Sequence, residues 1–268
     1  MTCHSYVKGN FTEPWIKHSE EVLNVFNECF TDIIPLLSSR LNLSTDSAET
    51  IVRLSIVLHD LGKTLNVYQL RCTKLTCNES NYYGHEILGA FMVNRLLDRL
   101  VNLPCFKGSE VNEYRHLIIL SVMMHHHAMR DLNDWWVRRI NMVTLLDKLG
   151  SWMSELNTSE LRICDECIND IIRILQLALG TQCSNYRDNI NKIIKDLSNE
   201  LVWGNPVNLI RDLNDWFINA KGSLIYNRSQ LLILGPLVVS DNEAANRSRG
   251  SGNKRSLISY ELSLRCKH

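Results

Sequence analysis

Apolar side chains recur along this chain at the spacing of an α-helix, and that pattern constrains the fold more than any other feature. Val22, Val25, Phe26, Cys29, Phe30, Ile33 and Leu37 fall at i, i+3, i+4 and i+7 intervals, which places them on one face of a 3.6-residue turn. A first helix is thus predicted after His18. With 268 residues, 45% hydrophobic and 22% charged, the chain can bury one sizeable core. One domain over residues 1–246 is expected, followed by a basic loop and tail over 247–268.

The same periodicity predicts the remaining helices. Asp46 with Glu49 resembles a capping box and opens a second helix through Ile51, Leu54, Ser55 and Leu58 that ends near Gly62. Gly84-His85 opens a third through Ile87, Leu88, Phe91, Met92 and Leu96, and Ser109 precedes a fourth that reaches His125. Asn133 or Asp134 caps a fifth reaching past Asp147, and Ser159 begins a sixth that Gly180 closes. Asn185 to Trp203 and Pro206 to Ala220 read as two more. Gln230 to Ala245 is an apolar segment interrupted by Gly235-Pro236 that needs a core around it and ends on Asp241. Only Ile258, Tyr260, Leu262 and Leu264 alternate as a strand does. The expectation is an all-α bundle of about eight helices with a short C-terminal strand. Arg130 to Trp136 nearly recurs at Arg211 to Phe217, but the flanks differ and no third copy appears, so this is not a repeat protein.

Histidines and aspartates gather at the predicted helix ends. His59-Asp60 closes the apolar stretch Ile56-Val57-Leu58 and is followed by Leu61-Gly62-Lys63. His18 lies before it, His85 after it, and His125-His126-His127 ends the fourth helix. Asp147 and Asp241 are two candidates for a closing carboxylate. Imidazole and carboxylate together suit Mn, Fe, Co, Ni or Zn, and a carboxylate can bridge two ions where imidazole cannot. Asp60 is the natural bridge. Two ions about 3.5–4 Å apart can clamp the attacking and leaving oxygens of a phosphoester displacement and make a bound water acidic. A lone His-Asp pair is weak evidence, because a histidine at a helix C-terminus also answers to the dipole; the ordered series is what makes it specific.

Charge and cysteines narrow the setting. The formal net charge is zero, so no global field draws the molecule to nucleic acid or to an anionic membrane. Residues 247–268 hold Arg247, Arg249, Lys254, Arg255, Arg265 and Lys267 against Glu261 alone, and Arg247 to Lys254 reads as a flexible loop. This end is either solvated or in contact with nucleic acid. Nine cysteines behind an N-terminus without an apolar signal region predict free thiols in a cytoplasmic protein rather than a disulfide framework. Cys164-x-x-Cys167 has zinc or redox spacing but no matching second pair, so structural thiols are expected there. No apolar run reaches the roughly 18 residues of a membrane span.

The ordered set His18, His59-Asp60, His85, His125-His126 and a late aspartate resembles the HD superfamily of metal-dependent phosphohydrolases. His59-Asp60-x-Gly62-Lys63 and the spacing of the chain are most similar to the stand-alone HD nuclease of type I CRISPR interference, from His18 to Ala245. The resemblance implies a compact helical HD domain and a nuclease of antiviral defence acting on single-stranded DNA, with RNA as a second substrate. It implies two divalent metal ions drawn from Mn, Mg, Ni, Co or Fe, a separate helicase subunit and a crRNA-guided surveillance complex. By the family pattern His18, His59, Asp60 and the final aspartate hold one ion, Asp60, His85, His125 and His126 the other, and Lys63 positions water or phosphate. Asp241 fits the closing segment better than Asp147, whose shorter spacing matches signalling phosphodiesterases. His127 can replace His125 or stand outside the metal shell.

Other residues are weaker candidates. Trp135-Trp136 beside Arg138-Arg139 can offer a stacking platform and phosphate contacts to a single strand, although core packing suits at least one tryptophan. Arg130 and Lys74 can contact phosphate without a distinctive signal. His4 and His116 read as ordinary. Two further functions share these ligands: an HD nucleotidase or cyclic-nucleotide phosphodiesterase, and a non-catalytic metal-binding adaptor. The basic loop and the missing Gly-Tyr-Pro signature of cyclic-dinucleotide enzymes lean toward a polymer substrate.

Overall fold

The computed structural model describes residues 3–8, 11–73, 82, 84–106, 108–126, 151, 158–203 and 228–249. Among them lie ten α-helices and one two-stranded sheet, so the all-α expectation holds. No helix of the described residues is long and apolar enough to cross a membrane. The predicted helix from Pro206 to Ala220, the fifth helix and the C-terminal strand lie outside the described residues.

A hairpin that the periodicity did not reveal opens the chain. Strand β1 (His4–Lys8) pairs antiparallel with β2 (Phe11–Pro14), with an irregular register between His4 and Tyr6. Ser5, Val7 and Glu13 are buried. Helix α1 (Trp15–Cys29) begins at once, and its first backbone N–H, on Trp15, donates to the Cys3 carbonyl at 2.8 Å. His18 therefore sits inside the first turn of α1 rather than before it, and it is 1% exposed.

The face predicted from Val22 to Leu37 is divided between two helices. Around Phe30 the chain turns, and α2 (Ile33–Leu41) starts with Pro35 in its first turn, where a missing N–H leaves no intrahelical bond unmade. Helix α3 (Thr45–Val57) is capped by Ser44, whose hydroxyl accepts from the Ser47 N–H; the cap predicted at Asp46 is one residue inside the helix. Ile51, Val52, Leu54, Val57 and Leu58 are fully buried. Each such side chain contributes roughly 1.5–3 kcal/mol on leaving water. Helix α3 is the centre of the molecule, in contact with α1, α2 and several helices that follow later in the chain.

Beyond a short 3-10 turn, Leu61–Thr64, come α4 (Asn66–Thr73) and α5 (His85–Leu100). The predicted fourth helix is two, α6 (Gly108–Glu113) and α7 (Arg115–Met124), separated at Tyr114, whose hydroxyl donates to the Leu41 carbonyl. Helix α8 (Asp165–Leu179) ends as expected at Gly180, where φ is 75°, a left-handed value that glycine adopts without strain. Then follow α9 (Arg187–Trp203) and α10 (Arg228–Arg249). Helix α10 departs from the reading of a wholly buried segment ending on a carboxylate. One face is buried through Ile233, Leu237 and Ala244 while Leu231 is 60% exposed. Asp241 lies well before its end, and Arg247 and Arg249, expected in a flexible loop, are helical.

The cysteine expectation is overturned. Cys3 is bonded to Cys167 and Cys105 to Cys183, across 164 and 78 residues of sequence. Such separations carry no spacing signal; only the fold, which packs α1 on α8 and α5 on α9, brings the sulfurs together. Cys164 is a buried free thiol. Burial pushes it up to about 12, the property of an inert rather than a reactive cysteine.

Candidate metal centre

The turn after α3 builds the site. Helix α3 stops at Val57, and His59 and Asp60 stand in the turn beyond it, just past the helix rather than in its last turn. Trp15 donates its indole N–H to the Asp60 carbonyl at 3.1 Å, which ties the turn to α1. Gly62 presses the turn against α5: a Cβ there would lie 2.0 Å from the His85 carbonyl oxygen and 2.8 Å from the Gly89 nitrogen. Only a residue without a side chain fits. That contact sets His85, the first residue of α5, beside Asp60.

Asp60 is 1% exposed and its two oxygens face different partners. Oδ1 lies 3.2 Å from His85 Nε2 and 3.5 Å from His125 Nε2. Oδ2 lies 3.5 Å from His59 Nε2, 3.7 Å from His18 Nε2 and 2.6 Å from Lys63 Nζ. Asp241, on α10, brings its Oδ1 to 3.0 Å from His18 Nε2 and 3.7 Å from His59 Nε2. His126 Nε2 lies 3.0 Å from His85 Nε2. Two groups result, Asp60 with His85, His125 and His126, and His18 with His59 and Asp241; within each, the donor atoms lie within 4.8 Å of one another.

The ring nitrogens on the far side are already engaged. Nδ1 of His59, His85 and His125 donates to the carbonyls of Ile56, Tyr82 and Val122, at 2.7, 2.5 and 2.6 Å. His18 Nδ1 donates instead to the Glu13 carboxylate at 3.3 Å. In the neutral ring these bonds place the proton on Nδ1 and leave Nε2 its lone pair, the arrangement of a metal-ligating histidine. His59 Nε2, His125 Nε2 and Asp60 Oδ1 are buried without a hydrogen-bond partner. A buried polar atom without a partner is costly, and these two ring nitrogens converging with the Asp60 and Asp241 carboxylates fit divalent cations by donor type and by placement.

The electrostatics agree. Burial would raise Asp60, but the Lys63 ammonium and His59 hold it well below the usual carboxylate range. Burial would depress His59, but the Asp60 and Asp241 carboxylates raise it to about 10, and His18 is raised by Asp241 and Glu13 against the same burial. His125 is lowered by burial, and His126 is driven to about 2 by burial and by His125 and His85 beside it. One group thus draws protons into the place of a cation, while His125 and His126 of the other offer neutral imidazole.

His18, His59, Asp60, Lys63, His85, His125, His126 and Asp241 are all brought together. Arg130, Trp135, Arg138, His127, Asp147 and Lys74 lie outside the described residues. His4 and His116 belong to neither group. Of the Cys164-x-x-Cys167 pair, Cys167 is disulfide-bonded and neither joins a metal group among the described residues. Sequence reading missed Glu13, Trp15 and Gln69, whose amide donates to the carbonyls of Lys63 and His4. Only Gly62 carried a readable signal, its place inside the His-Asp-x-Gly-Lys motif.

No curated protein and no solved structure matches this chain. A family model does, over residues 5–167, more than half of its length; its description is "Cas3, HD domain". The matched stretch contains His18, His59, Asp60, Lys63, His85, His125 and His126 in the geometry above, whereas Asp241 lies beyond it. The chain belongs to the Cas3 HD-domain family, whose members are metal-dependent nucleases of CRISPR systems.

Proposed function

We propose that the protein hydrolyses phosphodiester bonds of single-stranded DNA, and secondarily RNA, with two divalent ions, Asp60 being shared between the two sets of residues that would hold them. The observation that carries this reading is the division of Asp60, with Oδ1 toward His85 and His125 and Oδ2 toward His59 and His18. His18, His59 and Asp241 would hold one ion, and His85, His125 and His126 the other; Mn, Mg, Ni, Co or Fe suit these donors. Bound ions would acidify the attacking water and offset charge on the attacking and leaving oxygens. Water adds to phosphorus as the bond from phosphorus to the leaving sugar oxygen breaks; the attacking water gives up a proton to solvent, and the leaving oxygen takes one up. Lys63 holds Asp60 Oδ2 with one N–H donor and keeps two more for water or a phosphate oxygen. In the antiviral pathway the single strand would come from a separate helicase subunit recruited by a crRNA-guided surveillance complex.

The test is cleavage of a single-stranded oligonucleotide in Mn2+, with metal content measured on the same preparations. Asp60→Ala and His85→Ala are expected to fall to background and to bind fewer ions. Wild-type activity in either would end this reading. Asp241→Asn is expected to lose activity and Asp147→Asn to keep it. Turnover of nucleotides and cyclic nucleotides beside oligonucleotides separates a nuclease from a nucleotidase, and a metal-loaded protein inert on all of them would be an adaptor.

A further inference from the structure

Glu13, at the end of β2, is 3% exposed and uses its two carboxylate oxygens in opposite directions. Oε1 accepts from His18 Nδ1 at 3.3 Å. Oε2 accepts from Arg249 Nε and Nη2 at 3.1 and 2.8 Å. The Arg249 guanidinium in turn lies 3.9 Å from the centroid of the Tyr6 ring, within reach of a cation–π contact. The chain Tyr6, Arg249, Glu13, His18 thus links the hairpin, the last turn of α10 and the first turn of α1.

His18 differs from the other anchored histidines. His59 and His125 rest Nδ1 on backbone carbonyls, and His85 does the same with the Glu86 carboxylate 3.3 Å to the side; His18 rests Nδ1 on a carboxylate in place of a carbonyl. A carbonyl orients the ring; an ionised carboxylate also makes the imidazole a stronger donor at Nε2. Buried charge of this kind needs a partner, and Arg249 supplies it. We infer that Glu13, clamped by Arg249, is a positioning residue that sets the divalent-cation affinity of the His18, His59 and Asp241 group without touching the ion. This rests on the reading of His18 as a metal ligand.

The experiment is a titration of the chelator-treated full-length protein with Mn2+, following the free-ion signal by electron paramagnetic resonance. Wild type is expected to show two classes of site, one of them absent in His18→Ala. Glu13→Gln, nearly the same shape without the charge, should weaken that class by about 10- to 100-fold and leave the other within about twofold. Arg249→Gln should weaken the same class and Arg249→Lys should restore most of it; these two carry the test if Glu13→Gln does not fold. Unchanged affinities in Glu13→Gln and Arg249→Gln, or equal weakening of both classes with a lowered melting point, would overturn the inference. A wild-type protein that binds no Mn2+ would instead overturn the reading beneath it.

Discussion

His59 is fully buried and nevertheless holds its proton more tightly than a histidine in water, because Asp60 and Asp241 outweigh the burial. The sign follows from linkage: a folded-state value raised from 6.5 to about 10 stabilises the metal-free fold fully below pH 6.5, and the contribution is lost as pH rises through about 10. A cation at the same nitrogen must displace that proton. At pH 7 at least one proton should therefore leave per ion bound at the His18, His59 and Asp241 group, and affinity should rise with pH up to about 10. Calorimetric titration with Mn2+ in buffers of different ionisation enthalpy measures this directly; a heat independent of buffer would contradict it. The ligands themselves were readable because His18, His59-Asp60, His85 and His125-His126 form an ordered series, although any one of them at a helix end is ordinary. Glu13 was not, since a single glutamate five residues before His18 has nothing in its neighbours to mark it; its role exists only once Arg249 is folded back beside it.

Helices were legible to the extent that one face is apolar and the other is not. The period of 3.6 found α3, α5, α8 and α9, and Gly84 and Gly180 marked boundaries correctly. It overran the breaks at Phe30 and Tyr114, because buried apolar residues resume on the far side, at Ile33 and Leu117. The exposed Thr31, Asp32, Asn112 and Glu113 at the breaks are polar residues that a helix surface also carries. It missed the hairpin, whose nine or so residues are too few and too mixed to alternate clearly. The contact of the turn at Gly62 with α5 was also invisible, although the glycine itself was not. That contact gives a sharp prediction. Gly62→Ala would put a Cβ 2.0 Å from the His85 carbonyl oxygen, so turn and helix must part, at a cost on the order of 3 kcal/mol. Urea unfolding should show the lowered midpoint, and Mn2+ affinity should fall because His85 moves from Asp60. An alanine variant with wild-type stability and affinity would mean that the two elements are not in this contact.

The centre is assembled from α1, the turn after α3, α5, the end of α7 and α10, so it exists only when the whole bundle is closed. The family match stops at residue 167, yet Asp241 reaches the same centre from α10. Helix α10 is held to α1 by Arg247, which pairs with Glu21 and Glu28 at 3.0 Å each. Asp241 could be nominated from sequence by its apolar setting, but its rivalry with Asp147 could not be resolved by spacing, because the distance that matters runs across helices. The cysteines pose the same problem. Cys3 and Cys167 lie 164 residues apart and Cys105 and Cys183 lie 78 apart, so each bond closes a long loop in the unfolded chain and leaves the folded one unchanged. In the chain-entropy account, and in measurements on other proteins, such a bond stabilises by about 2–4 kcal/mol, which in a chain of this size corresponds to roughly 5–15 °C in melting temperature. Reduction of both bonds should therefore lower the melting temperature by at least that amount while leaving the metal-bound site intact at moderate temperature, since neither bond touches a ligand. Cys167→Ser should reproduce part of the drop without reductant. Melting curves with and without a phosphine reductant decide the matter: a difference confined to the oxidised wild type supports the cross-links, and identical curves would show that the helices bring these sulfurs together without bonding them.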